Sequence, residues 1–133
     1  MPRLDEFRAF FLEKVDAFNR RDWTAVLDDL PEGFEWHFPA EVVDRSGPAK
    51  PSELTAALDD LVSPLPDLTA EPTEIVEAEP NAFVVRLLVH GAGAASGAAI
   101  RLELTQLWDF EDHTPARVRE FTSFTEALSQ ARQ

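Results

Sequence analysis

The feature that most constrains this chain is a two-residue periodicity in its second half. From Ile100 to Phe110, one face collects Ile100, Leu102, Leu104, Gln106 and Trp108, and the other collects Arg101, Glu103, Thr105, Leu107 and Asp109. Strand side chains point alternately to opposite faces, so this pattern predicts a long half-buried strand. Phe83 to His90 behaves alike, with Phe83, Val85, Leu87 and Val89 on its apolar side. Thr73 to Ala78 and Arg117 to Phe124 read as shorter strands, and aromatic Phe34 to Phe38 as an early one. Gly91 to Ala99, rich in glycine and alanine, reads as a loose connection, and Glu111 to Thr114 as a turn.

The first half has a different period. Leu4, Phe7, Phe11, Val15 and Phe18 recur at three- and four-residue steps, the stripe of an amphipathic helix. Asp22 is placed to cap a short helix from Trp23 to about Leu30, stopped by Pro31 and Gly33. A third helix is predicted from Ser52, with Leu54, Leu58 and Leu61 inside and Pro64 and Pro66 ending it. Ala40 to Pro51 reads as a loop or a short hairpin arm, and the tail from Thr125 as weakly helical. Helices first and an antiparallel sheet afterwards predict an α+β fold. At 133 residues, with no internal repeat or linker, residues 1–133 are expected to form one domain.

Composition removes several classes of function. The chain has no cysteine, which excludes disulfides, thiolate metal sites and cysteine nucleophiles. Its net charge of −13 makes nucleic acid and anionic membranes poor partners. No apolar run approaches the ~20 residues that cross a bilayer, and the N-terminus lacks a signal peptide's apolar stretch. A soluble, cytoplasmic protein is expected. Glycine-rich phosphate loops and GxSxG are missing, and the three histidines share no metal-binding spacing, so neither cofactor nor metal is expected.

The strand faces nominate a pocket. The apolar face of Ile100 to Phe110 carries one amide, Gln106, and should look inward. On the last strand Arg117 and Arg119 favour solvent, which turns Glu120 inward, where desolvation raises a carboxyl pKa. Arg86 could pair across strands with Glu103 or Asp109. His90 and His113 read as surface residues, and Trp23 as packing between helices. In the early strand, the aromatic trio Phe34, Trp36 and Phe38 alone argues for the core side, with Glu35 and His37 opposite.

Four segments carry a resemblance: Phe18-Asn19-Arg20-Arg21-Asp22-Trp23, Phe34-Glu35-Trp36-His37-Phe38-Pro39, Gly93 to Gly97, and Leu107-Trp108-Asp109-Phe110 through Arg119-Glu120-Phe121 to Glu126-Ala127-Leu128. In order and spacing the chain resembles the SnoaL-like group of the nuclear-transport-factor-two-like superfamily. The resemblance implies a cone: three helices packed on a strongly curved, mostly antiparallel sheet, with a pocket inside. The relatives include ketosteroid isomerases, polyketide cyclases, dehydratases, epoxide hydrolases and silent binding modules, so fold alone does not fix function.

By the same matching, the isomerases' general base falls on His37, turning that residue into the pocket, and the acid that donates to the substrate oxygen falls on Gln106. The helix-one phenol falls on or near Lys14. The chain has no tyrosine, so the steroid-isomerase triad is absent. The expected site has His37 and Glu120 as acid–base residues. Glu35, Phe83, Val85, Leu102, Leu104, Gln106, Trp108 and Val118 should line the cavity. The expected function is cofactor-free acid–base chemistry on a small apolar molecule. A ligand-binding module or a structural dimer of the same fold is the alternative. A homodimer is expected through an outer sheet patch of Leu107, Leu88 and Phe121 among charges.

Overall fold

The computed structural model describes residues 2–39, 47–78, 81–92, 99–122 and 127. Three helices, α1 (Leu4–Asn19), α2 (Trp23–Leu27) and α3 (Pro51–Val62), accompany five strands: β1 (Glu35–His37), β2 (Thr69–Ala78), β3 (Ala82–Ala92), β4 (Ala99–Glu111) and β5 (Thr114–Phe121). The strands form one sheet in the order β1-β5-β4-β3-β2. β1 runs parallel to β5, and every other pairing is antiparallel. The sheet is open, and the class is α+β, as the two sequence periods predict. No helix among the described residues is long and apolar enough to cross a membrane.

Local chemistry sets the helix starts. The Glu6 carboxylate accepts the backbone N–H of Arg3 at 3.0 Å, and Glu53 does the same for Lys50. Each answers one backbone donor left open where a helix begins. Pro51 opens α3, where a missing N–H costs nothing. Asp22 caps α2 through the N–H of Ala25, as expected, but the helix stops at Leu27. Asp29 follows in a left-handed backbone conformation that ends the turn before Leu30.

β2 starts four residues earlier than its apolar pattern suggests, because it carries Pro72 on a sheet edge. A proline cannot donate to a ladder, and the pairing shifts register between Pro72 and Glu74 to pass it. The edge is also held from α1: the Asn19 side chain exchanges two hydrogen bonds, of 2.9 and 3.0 Å, with the backbone of Ala70. β3 runs through Gly91 to Ala92, so the expected loose connection begins later; its central residues 93–98 lie outside the described set. The same holds for most of the expected loop at 40–46 and for the tail apart from Ala127.

Two faces of the sheet differ. The concave face meets α1: Phe7 stacks on Phe83 at 4.2 Å, with Phe110 edge-on to both. On the convex face, Leu107, Val84 and Ala82 pack with Val76, Ala78 and Phe121. Leu107 is 0% exposed in the single chain. The wet outer patch expected around it is therefore reduced, because neighbouring side chains on the same face already cover its centre. Arg86 meets Glu74 on β2 at 3.5 Å. Asp109, the other expected partner class, instead takes Arg117 and Arg119 at 2.8 and 3.0 Å.

Candidate functional site

α1 crosses the concave face obliquely in composition: its N-terminal end is aromatic and filled, and its C-terminal end is not. Around Phe7 the rings of Phe83, Phe110 and Trp108 close the space. Towards Phe18 a cavity of about 100 Å³ remains. Its wall includes Phe11, Val15, Phe18, Trp36, Phe38, Leu87, Val89, Leu104 and Trp108. Lys14, Gln106 and Glu120 also line it, beside the two indoles. A cavity of roughly 150 Å³ accommodates a benzene ring, so this one suits a single ring or smaller.

The polar groups form a fixed chain. Gln106 and Glu120 are directly paired across β4 and β5. Trp108 Nε1 donates to Gln106 Oε1 at 2.9 Å, and Gln106 Nε2 donates to Glu120 Oε2 at 2.8 Å. The two bonds together fix which way the amide points. Burial pushes the Glu120 carboxyl pKa up, and the Gln106 amide and the Trp36 indole pull it back. Both opposing groups are neutral; no cation is among the causes. A carboxyl in this setting holds its proton more readily than one in water.

Trp36 sits beside this carboxyl on β1, whose register places it against Val118. Its indole is 8% exposed, and its Nε1 has no hydrogen-bond partner in good geometry among the described residues. The N–H is close enough to favour the charged form of Glu120 without completing a bond to it. The aromatic-face argument from sequence therefore holds for β1. The resemblance-based reversal does not.

That outcome corrects the expected site at two positions. Glu35 and His37 lie on the opposite face of β1 and do not line the cavity. His37 Nε2 lies 3.0 Å from Glu35 Oε1, and Lys50 donates to Glu35 Oε2 at 3.1 Å. His37 is thus paired with Glu35, and the expected His37–Glu120 pair is not formed. The reason is parity: Trp36, not its neighbours, must be buried against Val118, and a strand offers only alternate residues to one face.

Four lining residues are also reassigned. Phe83, Val85 and Val118 share the concave face but are 0% exposed within the core and do not line the cavity. Leu102 stands opposite Val89, and it is Val89 that reaches the cavity. Leu104, Gln106, Trp108 and Glu120 are brought together as expected.

Lys14 is the polar member that residue patterns underplayed. It lies on the buried stripe of α1 with Phe7, Phe11 and Ala17, and is 9% exposed. Its ammonium donates to the carbonyls of Ala25, at 3.0 Å, and Asp28, at the C-terminal end of α2. A cation there answers open helix carbonyls and complements the helix dipole. Burial lowers its pKa, while Asp29, Asp28 and Glu13 raise it. The position matched to a catalytic phenol is occupied here by a helix-capping cation. The signal was a lone charge three residues after Phe11 and four before Phe18, on an otherwise apolar stripe. Among the described residues, no group of three or more His, Asp or Glu side chains converges as a metal site requires.

The family model of the SnoaL-like domain matches residues 5–118, so the chain belongs to the SnoaL-like family. Solved structures with the same fold include AusH from Aspergillus nidulans, 16% identical with a TM-score of 0.74, covering 91% of this chain and 86% of that one. IdmH from Streptomyces antibioticus, a proposed polyketide cyclase, is 14% identical with a TM-score of 0.73, over 94% of this chain and 96% of its own. A proposed isomerase from Bacillus subtilis is 12% identical with a TM-score of 0.74, over 90% and 88%. Identities this low establish the fold and nothing finer. A search of curated protein sequences finds no match.

Proposed function

We propose that this protein is a cofactor-free acid–base enzyme for a small, mostly apolar molecule, and that Glu120 is its proton-transfer group. The observation that carries the reading is a carboxyl facing an apolar cavity beside two neutral groups, the Gln106 amide that donates to it and the Trp36 indole. Burial brings such a group's pKa toward the pH at which it must both take and give a proton, which is what general acid–base catalysis needs. Gln106, held by Trp108, keeps the carboxyl in one orientation. The reaction that fits is isomerisation or cyclisation: Glu120 removes a proton at one atom of the ligand and returns it to another. Atoms balance without a co-reactant. The cyclase and isomerase descriptions of the structural neighbours IdmH and the Bacillus subtilis protein agree with this class.

The cavity's size narrows the substrate to one ring or a comparable chain segment, with any larger remainder outside the mouth. The reading includes a cytoplasmic location and a two-fold dimer through the convex sheet face, burying more than ~1,000 Å² in total. Half-buried Leu88 and Phe121 support the dimer, and sedimentation showing only monomer would remove it. The enzyme reading is tested with single-ring ketones, enones and epoxides, scored for product by mass spectrometry with wild type and Glu120→Gln. Turnover that disappears in the variant supports it. Binding without turnover in wild type leaves a ligand-binding module instead.

A further inference from the structure

We propose that Trp36 is the specificity-determining donor of the cavity: its indole N–H receives a neutral oxygen acceptor of the ligand, a ketone or aldehyde oxygen, beside Glu120. This rests on the reading of the cavity as a ligand site and adds the chemical class of its ligand. Three observations converge on it. The Trp36 side chain lines the cavity and is 8% exposed, and its N–H is buried without a partner in good geometry among the described residues. A buried donor left unpaired is costly, so a native one needs a reason.

The ring is also held in place and cannot swing out to find water. Its backbone exchanges two 2.9 Å hydrogen bonds with Ala49 on one side and pairs with β5 on the other. The indole lies against Phe38 at 5.8 Å and Trp108 at 6.4 Å. A donor fixed in this way is preorganised for an acceptor supplied from outside.

The neighbourhood then selects the acceptor. A ligand carboxylate would be poorly solvated by the apolar wall. A hydrocarbon would leave the indole N–H unpaired. A neutral carbonyl oxygen satisfies the N–H and presents its second lone pair toward the Glu120 carboxyl. In its protonated form, which burial favours, that carboxyl can donate to it. Sites built around a buried donor reject the analogue lacking the acceptor far more strongly than they reject a change of one methylene.

The test uses cyclohexanone and its isostere methylenecyclohexane, which differ at the one atom that matters. Calorimetric titration of wild type should show the ketone binding at least about tenfold more tightly, and Trp36→Phe should bring the ratio within about threefold. Because the substitution could loosen the core, wild type labelled with ¹⁵N at its tryptophans provides a second measurement. Of the three indole N–H resonances, the one missing in Trp36→Phe should shift with the ketone and stay in place with the alkene. A wild type that prefers neither ligand or binds neither, a ratio retained in Trp36→Phe, or an unmoved Trp36 resonance would overturn the proposal. The acid–base reading is judged separately by Glu120→Gln turnover. Ketone preference without turnover spares Trp36 and sinks the enzyme; turnover with a ratio indifferent to Trp36→Phe does the reverse.

Discussion

Two glutamates on neighbouring strands show how one side chain acquires two characters. Glu35 on β1 faces out, half-exposed, with His37 and Lys50 on its two oxygens. Those hydrogen bonds and the Lys50 charge hold its pKa below the ordinary carboxylate value. Glu120 on β5 faces the cavity, hydrogen-bonded to the Gln106 amide with the Trp36 indole beside it, and burial holds its pKa above that value. The carboxylate beside the histidine is thus the one held in its charged form. An ion pair in water spends the charge, whereas an apolar wall with neutral donors keeps a proton exchangeable. Nearness to a histidine is a weaker guide to function than which face of the sheet a carboxyl occupies.

The sharpest way to break this contrast is to neutralise each glutamate in turn. Glu120→Gln should lower kcat/KM on any accepted substrate by roughly 10²- to 10⁴-fold, the usual worth of a positioned acid–base group. Glu35→Gln should leave it within about twofold, since among the described residues Glu35 bonds to His37 and Lys50, away from the cavity. Equal losses in both variants, measured on the same substrate, would erase the distinction.

The support of Glu120 is the next point of attack. Gln106→Leu removes the amide between Trp108 and Glu120, stranding a buried indole N–H and a carboxyl oxygen. Denaturant unfolding should show a loss of about 1–3 kcal/mol, the cost of leaving buried polar groups unpaired. Lys14→Met is expected to cost less, about 1 kcal/mol, because one of the two carbonyls it answers belongs to exposed Asp28. A Lys14 variant that loses turnover while keeping its stability would move Lys14 from helix cap to chemistry.

Much of this was legible from residue order. The alternation of Ile100 to Phe110 placed Leu104, Gln106 and Trp108 on the concave face, and the two arginines of β5 turned Glu120 inward. Parity was legible on β1 as well, since Phe34, Trp36 and Phe38 form a plain apolar face. It was the transfer of a catalytic position from relatives that put His37 inside. A matched position carries a role only when its strand presents the same parity, and a three-residue strand gives little to check it against. What sequence could not reveal was where the cavity ends. Phe83, Val85 and Val118 have the same facing as Leu87 and Leu104 but are fully buried in the core, Phe83 under the stacked ring of Phe7. That depends on where α1 crosses the sheet, a tertiary fact with no local signature. Lys14 was visible as a charge on an apolar stripe, but its partners at the end of α2 were not.

The smallest expected effect separates the two glutamates by sign. Glu120 binds its proton more tightly folded than unfolded, so folding is favoured at low pH. That contribution is complete below the ordinary value of 4.5 and declines as pH rises through the higher folded value. Glu35 has the opposite linkage: its contribution is present above 4.5 and fades as pH falls through its lower folded value. Urea unfolding from about pH 3 to about pH 8 should therefore show Glu120→Gln gaining on wild type as pH rises past 4.5. Glu35→Gln should instead lose its small deficit as the solution becomes more acidic. Added salt discriminates once more. The Glu35 effect belongs to exposed charges and should shrink as the screening length falls from about 10 Å at 0.1 M to about 3 Å at 1 M. The Glu120 effect arises from burial among neutral groups and should survive. If salt abolished both equally, Glu120 would be titrating as a solvent-exposed carboxylate, and the contrast between the two faces of the sheet would have to be given up.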